Sequence, residues 1–139
     1  FATRSKLVPS LKEKPKAISL MAIRLALPQQ RCATLISVCA PTFQHSDESK
    51  EEFYSELRNV IDSVPRQDKL IVLGDFDARD GAYWSAWEGV LGKHGVGKCN
   101  ANGQLLLELC MTYDLNITNT TFQLPHRNRT SWMHPRSKH

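Results

Sequence analysis

No stretch of this 139-residue chain is apolar for long enough to span a bilayer, and no secretory leader is read at its start. Membrane anchoring is therefore not expected, and the compartment read from the sequence is intracellular, nuclear or cytoplasmic. Cysteine is scarce: Cys32, Cys39, Cys99 and Cys110 have neither CxxC spacing nor the density of a disulfide scaffold, which points to reduced thiols. Internal repeats and low-complexity tracts are also lacking, which leaves no sign of a repeat architecture. Acids are missing from residues 126–139, which carry four Lys/Arg. Residues 1–31 carry seven Lys/Arg against one Glu, whereas residues 32–125 carry thirteen acids against seven bases. Basic ends around an acidic middle suit a polyanion held beside a carboxylate site, and suit equally a solvated surface with uneven charge. The chain begins with Phe1 and stops at His139 within a patterned segment, so both ends read as cut.

What is present is organised around residues 69–80. Leu70–Leu73 is a short apolar run, too brief for a helix, and reads as a buried strand. Gly74 ends it, and Asp75 and Asp77 follow. If the extended backbone continues, alternate side chains share a face and both acids point the same way. A strand delivering paired acids at its carboxyl end is a common way for an α/β fold to build a site. A strand followed by a polar turn is the plain alternative.

Residues 1–16 are basic, contain Pro9 and Pro15, and read as linker or a truncated edge. Residues 17–27 and 32–39 read as strands joined at Pro28-Gln29-Gln30 into an antiparallel hairpin. Residues 47–64 place Phe53, Leu57, Val60, Ile61 and Val64 at helical steps, with acids in the first turns and Ser46 or Asp47 as cap. Tyr83, Trp84 and Trp87 stand in a short segment compatible with one helical turn. A glycine-rich loop covers residues 89–102. A second helix is predicted over 103–111, with Leu105, Leu106, Leu109 and Cys110 on one side and Asn102 as cap. Residues 115–120 read as a strand, and Thr130–Met133 as the beginning of another.

Some motifs fail on inspection. Gly92–Cys99 comes within one residue of a phosphate-binding loop, but Cys99 replaces the needed hydroxyl and no strand precedes Gly92. Asp75-x-Asp77 misses the calcium-loop pattern beyond its first acids, and His94 with Cys99 lacks a second ligand pair for zinc. Arg127, Arg129, Arg136 and Lys138 around Trp132 fit phosphate neutralisation with stacking, or a core tryptophan among solvated bases.

Taken in order, Cys39-Ala40-Pro41-Thr42, the acidic helix, Leu73–Arg79, Asn100-x-Asn102-Gly103-x-Leu105-Leu106, Leu115–Phe122 and Thr130-Ser131-Trp132 resemble the endonuclease/exonuclease/phosphatase superfamily. The nearest resemblance is to the apurinic-endonuclease-like domain of LINE-type retrotransposons and of craniofacial development protein 2-like host proteins. It implies an α+β fold, a four-layer α/β sandwich of mixed β-sheets flanked by helices, truncated at both ends, with residues 17–139 as a partial domain. It also implies Mg²⁺-dependent phosphodiester hydrolysis with nucleic acid, DNA above all, as partner. By the same resemblance Asp75 falls at the acid that orients the attacking water and borders the metal. Asp77 falls where the family has Asn, and Cys39 where it has a Tyr reaching the scissile phosphate. Arg79, Arg127, Arg129 and Trp132 are expected along the nucleic-acid groove. The family's remaining metal ligands are expected outside residues 1–139. These departures imply weak activity or none for the chain itself, the alternative being a catalytically dead remnant that binds nucleic acid or protein.

Overall fold

A computed structural model describes residues 19–42, 44–123 and 125. The chain divides into two compact units, the first ending at Asp77 and the second beginning at Ala78. The described part is a small α+β structure with one three-stranded mixed sheet and two α-helices.

In the first unit, β1 (Leu20–Ala26) and β2 (Cys32–Cys39) form the expected antiparallel hairpin. The reversal after Pro28 puts Gln29 and Gln30 at positive φ, 64° and 58°, which closes a tight connection. β2 then leads through α1 (Asp47–Asp62) into β3 (Lys69–Asp75), which lies parallel to β2, so the order is β1-β2-β3. Parallel pairing needs such a crossover, because the chain must travel back before running in the same direction.

Helix α1 starts where the capping residue dictates. Ser46 Oγ accepts the Ser49 N–H at 3.3 Å, and Asp47 and Glu48 sit in the first turn where the dipole favours anions. Phe53, Leu57 and Ile61 are buried, as are Leu20, Ile36 and Val38 on the strands. Each such side chain contributes roughly 1.5–3 kcal/mol on burial, more than propensity can supply, so packing holds this helix. Near its end, Val60, Ser63, Val64 and Pro65 share a small cleft with Ala22, Arg24 and Thr34 of the strands. There Arg24 makes a bidentate pair with Asp68, Nε–Oδ2 2.6 Å and Nη2–Oδ1 2.9 Å, and the Asp68 carboxylate also accepts the Thr34 hydroxyl at 3.0 Å.

The second unit is built around α2 (Ala101–Thr112) and two 3₁₀ turns, Trp84–Ala86 and Thr118–Thr120. The aromatic segment therefore does contain a helical turn. The cap of α2 is Asn100 rather than Asn102: Asn100 Oδ1 accepts the Gly103 N–H at 2.7 Å, while Asn102 is buried in the first turn. Leu107 joins the buried set with Leu106, Leu109 and Cys110, and Leu105 is only half-buried.

Residues 115–120 do not form the expected strand. Only Ile117 makes a bridge, with Leu91, before the chain turns. Its polar side chains compete for the backbone. Asn116 Nδ2 donates to the Gly89 carbonyl at 3.0 Å, and Thr120 Oγ1 donates to the Ile117 carbonyl at 2.6 Å. The glycine-rich loop is fastened to the same turn: Gly92 N–H donates to Thr120 Oγ1 at 2.7 Å and His94 N–H to the Thr120 carbonyl at 2.9 Å. A Cβ on Gly92 would run into the Thr120 carbonyl and Thr121 Cα. That glycine serves packing against the turn.

Candidate functional site

β3 ends at Asp75, and the parallel register sets Asp75 directly beside Cys39, the last residue of β2. The Ala40 N–H donates to the Asp75 carbonyl at 2.9 Å, and the Cys39 N–H to the Ser19 carbonyl at 3.0 Å. Thus the carboxyl ends of β2 and β3 and the segment entering β1 meet at one edge of the sheet. Cys39, Asp75 and Asp77 are all exposed there. The Arg24–Asp68 pair lies at the other end of the strands, since Lys69 pairs with Ala33 and Arg24 with Thr34.

The extended backbone does not continue to Asp77. Gly74 has φ 151°, and a Cβ there would collide with the Val38 carbonyl, so only glycine lets β3 lie this close to β2. Asp77 has φ 45°, in the left-handed region. Asp75 Oδ1 accepts the Asp77 N–H at 3.0 Å, a side-chain-to-backbone turn that replaces strand geometry. The two acids are therefore brought together by a turn and not by strand alternation. Between them Phe76 meets the Phe53 ring of α1 edge-on, centroids 6.4 Å apart, which anchors the turn and leaves the flanking carboxylates in solvent.

Asp75 consequently has one oxygen fixed by the backbone and the other facing water. Chemically it can accept a hydrogen bond from a water molecule or a ligand donor. Among the described residues, no group of three or more His, Cys, Asp and Glu is placed to hold a metal ion. Asp75 and Asp77 do not by themselves make a Mg²⁺ site. Among the described residues, no helix is long and apolar enough to cross a membrane.

In the second unit, the Arg79 backbone is clamped to the start of α2. Its N–H donates to Asn100 Oδ1 at 3.0 Å, and its carbonyl accepts the Asn100 N–H at 3.1 Å. Its side chain is exposed. Beside it Asp80 is half-buried, and burial raises its carboxyl above the usual range, partly offset by a backbone hydrogen bond. Burial first, and the Asp80 charge second, raise the thiols of Cys99 and Cys110, the latter to about 11. Neither Asp80 nor Asn100 was singled out as a site residue from the sequence. The Asp80-Gly81 pair and the Asn100 motif were the available signals. Arg127, Arg129 and Trp132, together with Arg136 and Lys138, lie outside the described residues.

No protein-family model matches the chain, and no solved structure matches it. Two curated proteins are similar to it. It is 35% identical over 102 residues to craniofacial development protein 2 of Bos taurus. It is 33% identical over 102 residues to craniofacial development protein 2 of Tragulus javanicus. The aligned part is 73% of this chain and 17% of each relative, so the chain spans about a sixth of the length of the curated relatives it matches. The resemblance to craniofacial development protein 2-like proteins is thus shown over most of the chain.

Proposed function

We propose that this chain is part of a phosphodiester hydrolase of the endonuclease/exonuclease/phosphatase type, a retroelement-like DNA endonuclease domain with a four-layer sandwich fold. One observation carries the reading: Cys39 and Asp75 are register partners at the carboxyl ends of two parallel strands, with Asp77 hydrogen-bonded beside them. That edge is where open α/β sheets place their ligands. Asp75, oriented through its bond to the Asp77 N–H, positions water by accepting a hydrogen bond from the water O–H on its other carboxylate oxygen. Asp77 stands where this class has a neutral donor, and its charge repels an incoming phosphate. Cys39 stands where the class has a phenol, and its short side chain reaches less far over the edge. Mg²⁺ belongs to the reading as the cofactor of the class, with Asp75 as this chain's contribution to holding it. Arg79, Arg127, Arg129 and Trp132 are assigned to the nucleic-acid strand.

The departures at positions 39 and 77 favour low activity for the chain as it stands. Supercoiled-plasmid nicking with Mg²⁺ tests this. Cys39→Tyr with Asp77→Asn, placed in the full product of the gene, is expected to raise nicking by orders of magnitude, because groups that act as a unit are strongly non-additive. Silence from that folded double variant contradicts the catalytic reading. The same departures support a second reading, a remnant that keeps only binding. Salt-sensitive DNA binding that survives Asp75→Ala, without nicking by the double variant, favours it.

A further inference from the structure

The aromatic segment and the glycine-rich loop of the second unit meet on the surface in a way the hydrolase site does not use. Tyr83 is 77% exposed and Trp84 is 40% exposed, side by side at the start of a 3₁₀ turn. The turn is fixed by backbone bonds: Ala86 N–H donates to the Tyr83 carbonyl at 3.2 Å, and Leu91 N–H to the Trp87 carbonyl at 2.9 Å. These rings are held outward by a tied backbone. Lys93 Nζ lies 5.1 Å from the centroid of the Trp84 ring, and it has no ion-pair partner among the described residues. The loop carrying Lys93 is itself pinned through Gly92 and His94 to Thr120. Single exposed aromatics are ordinary on protein surfaces. Two adjacent ones, with an ammonium over one of the rings and no ion-pair partner for it among the described residues, make a different surface, with aromatic faces for stacking and a charge for phosphate.

We propose that Tyr83, Trp84 and Lys93 form a contact for an unpaired nucleotide of a nucleic-acid strand, the base stacking on the exposed rings and the phosphate meeting the Lys93 ammonium. A nucleic acid fits better than an apolar protein surface because the patch couples rings to a cation that has no ion-pair partner among the described residues. In sequence the aromatic segment and the loop are flanked by Arg79 and Lys98, both exposed, against one exposed acid, Glu88, and the half-buried Asp80. The inference rests on the reading that the chain engages nucleic acid, and it names a second place where it does so.

The test measures binding of the full chain to a fluorescein-labelled oligothymidylate and to a blunt duplex, by anisotropy over a salt series. Stacking is worth roughly 1–3 kcal/mol per base, so Tyr83→Ala and Trp84→Ala are each expected to weaken oligothymidylate binding about tenfold or more, and the duplex less. Tyr83→Phe is expected to retain affinity. Lys93→Gln is expected to make the slope of log affinity against log salt shallower by about 0.7. Tryptophan fluorescence of the unmodified chain is expected to be quenched on saturation. Parental affinity in Tyr83→Ala and Lys93→Gln overturns the inference and leaves the hydrolase site untouched; a surface made for a protein partner gives this result. A parent chain that binds neither strand form at low salt overturns the inference together with the nucleic-acid reading beneath it.

Discussion

Position 77 demands a left-handed backbone, φ 45°, and Asn and Asp meet that demand at least cost among residues with a side chain. This explains how an acid can stand where a neutral amide is expected from the resemblance: the backbone accepts either. Asp77→Asn is therefore expected to leave the thermal midpoint within experimental scatter, while Asp77→Val is expected to lose about 1–2 kcal/mol from the left-handed penalty. Chemical denaturation of both variants checks the pair. Asp80 has the opposite character, since its burial works against its charge. The unfolded chain releases this proton near the ordinary value of 3.8, the folded chain above it. Stability is thus full below the unfolded value and is lost as pH rises through the folded one. Asp80→Asn is expected to flatten that decline and to raise the melting midpoint at neutral pH. Melts from acid to neutral pH decide it, and an unchanged pH profile contradicts the assignment.

At the scale of elements, strands and helices differ in what holds them. β2 and β3 are tied at one end by the Cys39–Asp75 register and at the other by the buried Asp68 carboxylate, whose side chain is fully covered while Arg24 is partly exposed. Removing one partner of a buried pair leaves the other charge uncompensated, so Asp68→Ala is expected to cost about 3 kcal/mol, measured by urea unfolding. The two strands of the hairpin and α1 were legible because their apolar periods and caps agree with burial: Ser46 caps, and Phe53, Leu57 and Ile61 are covered. β3 forms where the apolar run predicts a strand, but it is not the buried strand expected: Ile71 and Leu73 are exposed, and Leu70 and Val72 are only half-buried. The segment at 115–120 was not legible, because the strand propensity of Ile117 and its threonines competes with Asn116 and Thr120 side chains that bond the backbone. At the site, the bond from the Asp77 backbone N–H to the Asp75 carboxylate was not readable. Alternation suggested a shared strand face, whereas Gly74 and the left-handed Asp77 replace the strand with a turn. The Cys39–Asp75 neighbourhood needed a register, which spacing alone does not give.

At the scale of the molecule, β1 and β3 are the edges of the described sheet, and Ile71 and Leu73 of β3 are 44% and 47% exposed. Apolar side chains exposed on an edge strand favour association. The account stands or falls with Asp75 at the carboxyl end of the parallel pair. The most direct measurement is Mg²⁺-dependent plasmid nicking by the full gene product carrying Cys39→Tyr and Asp77→Asn, with and without Asp75→Ala. Nicking is expected in the first protein, and its loss, by a hundredfold or so, in the second. Equal nicking by the two folded proteins, or none by either, would contradict it.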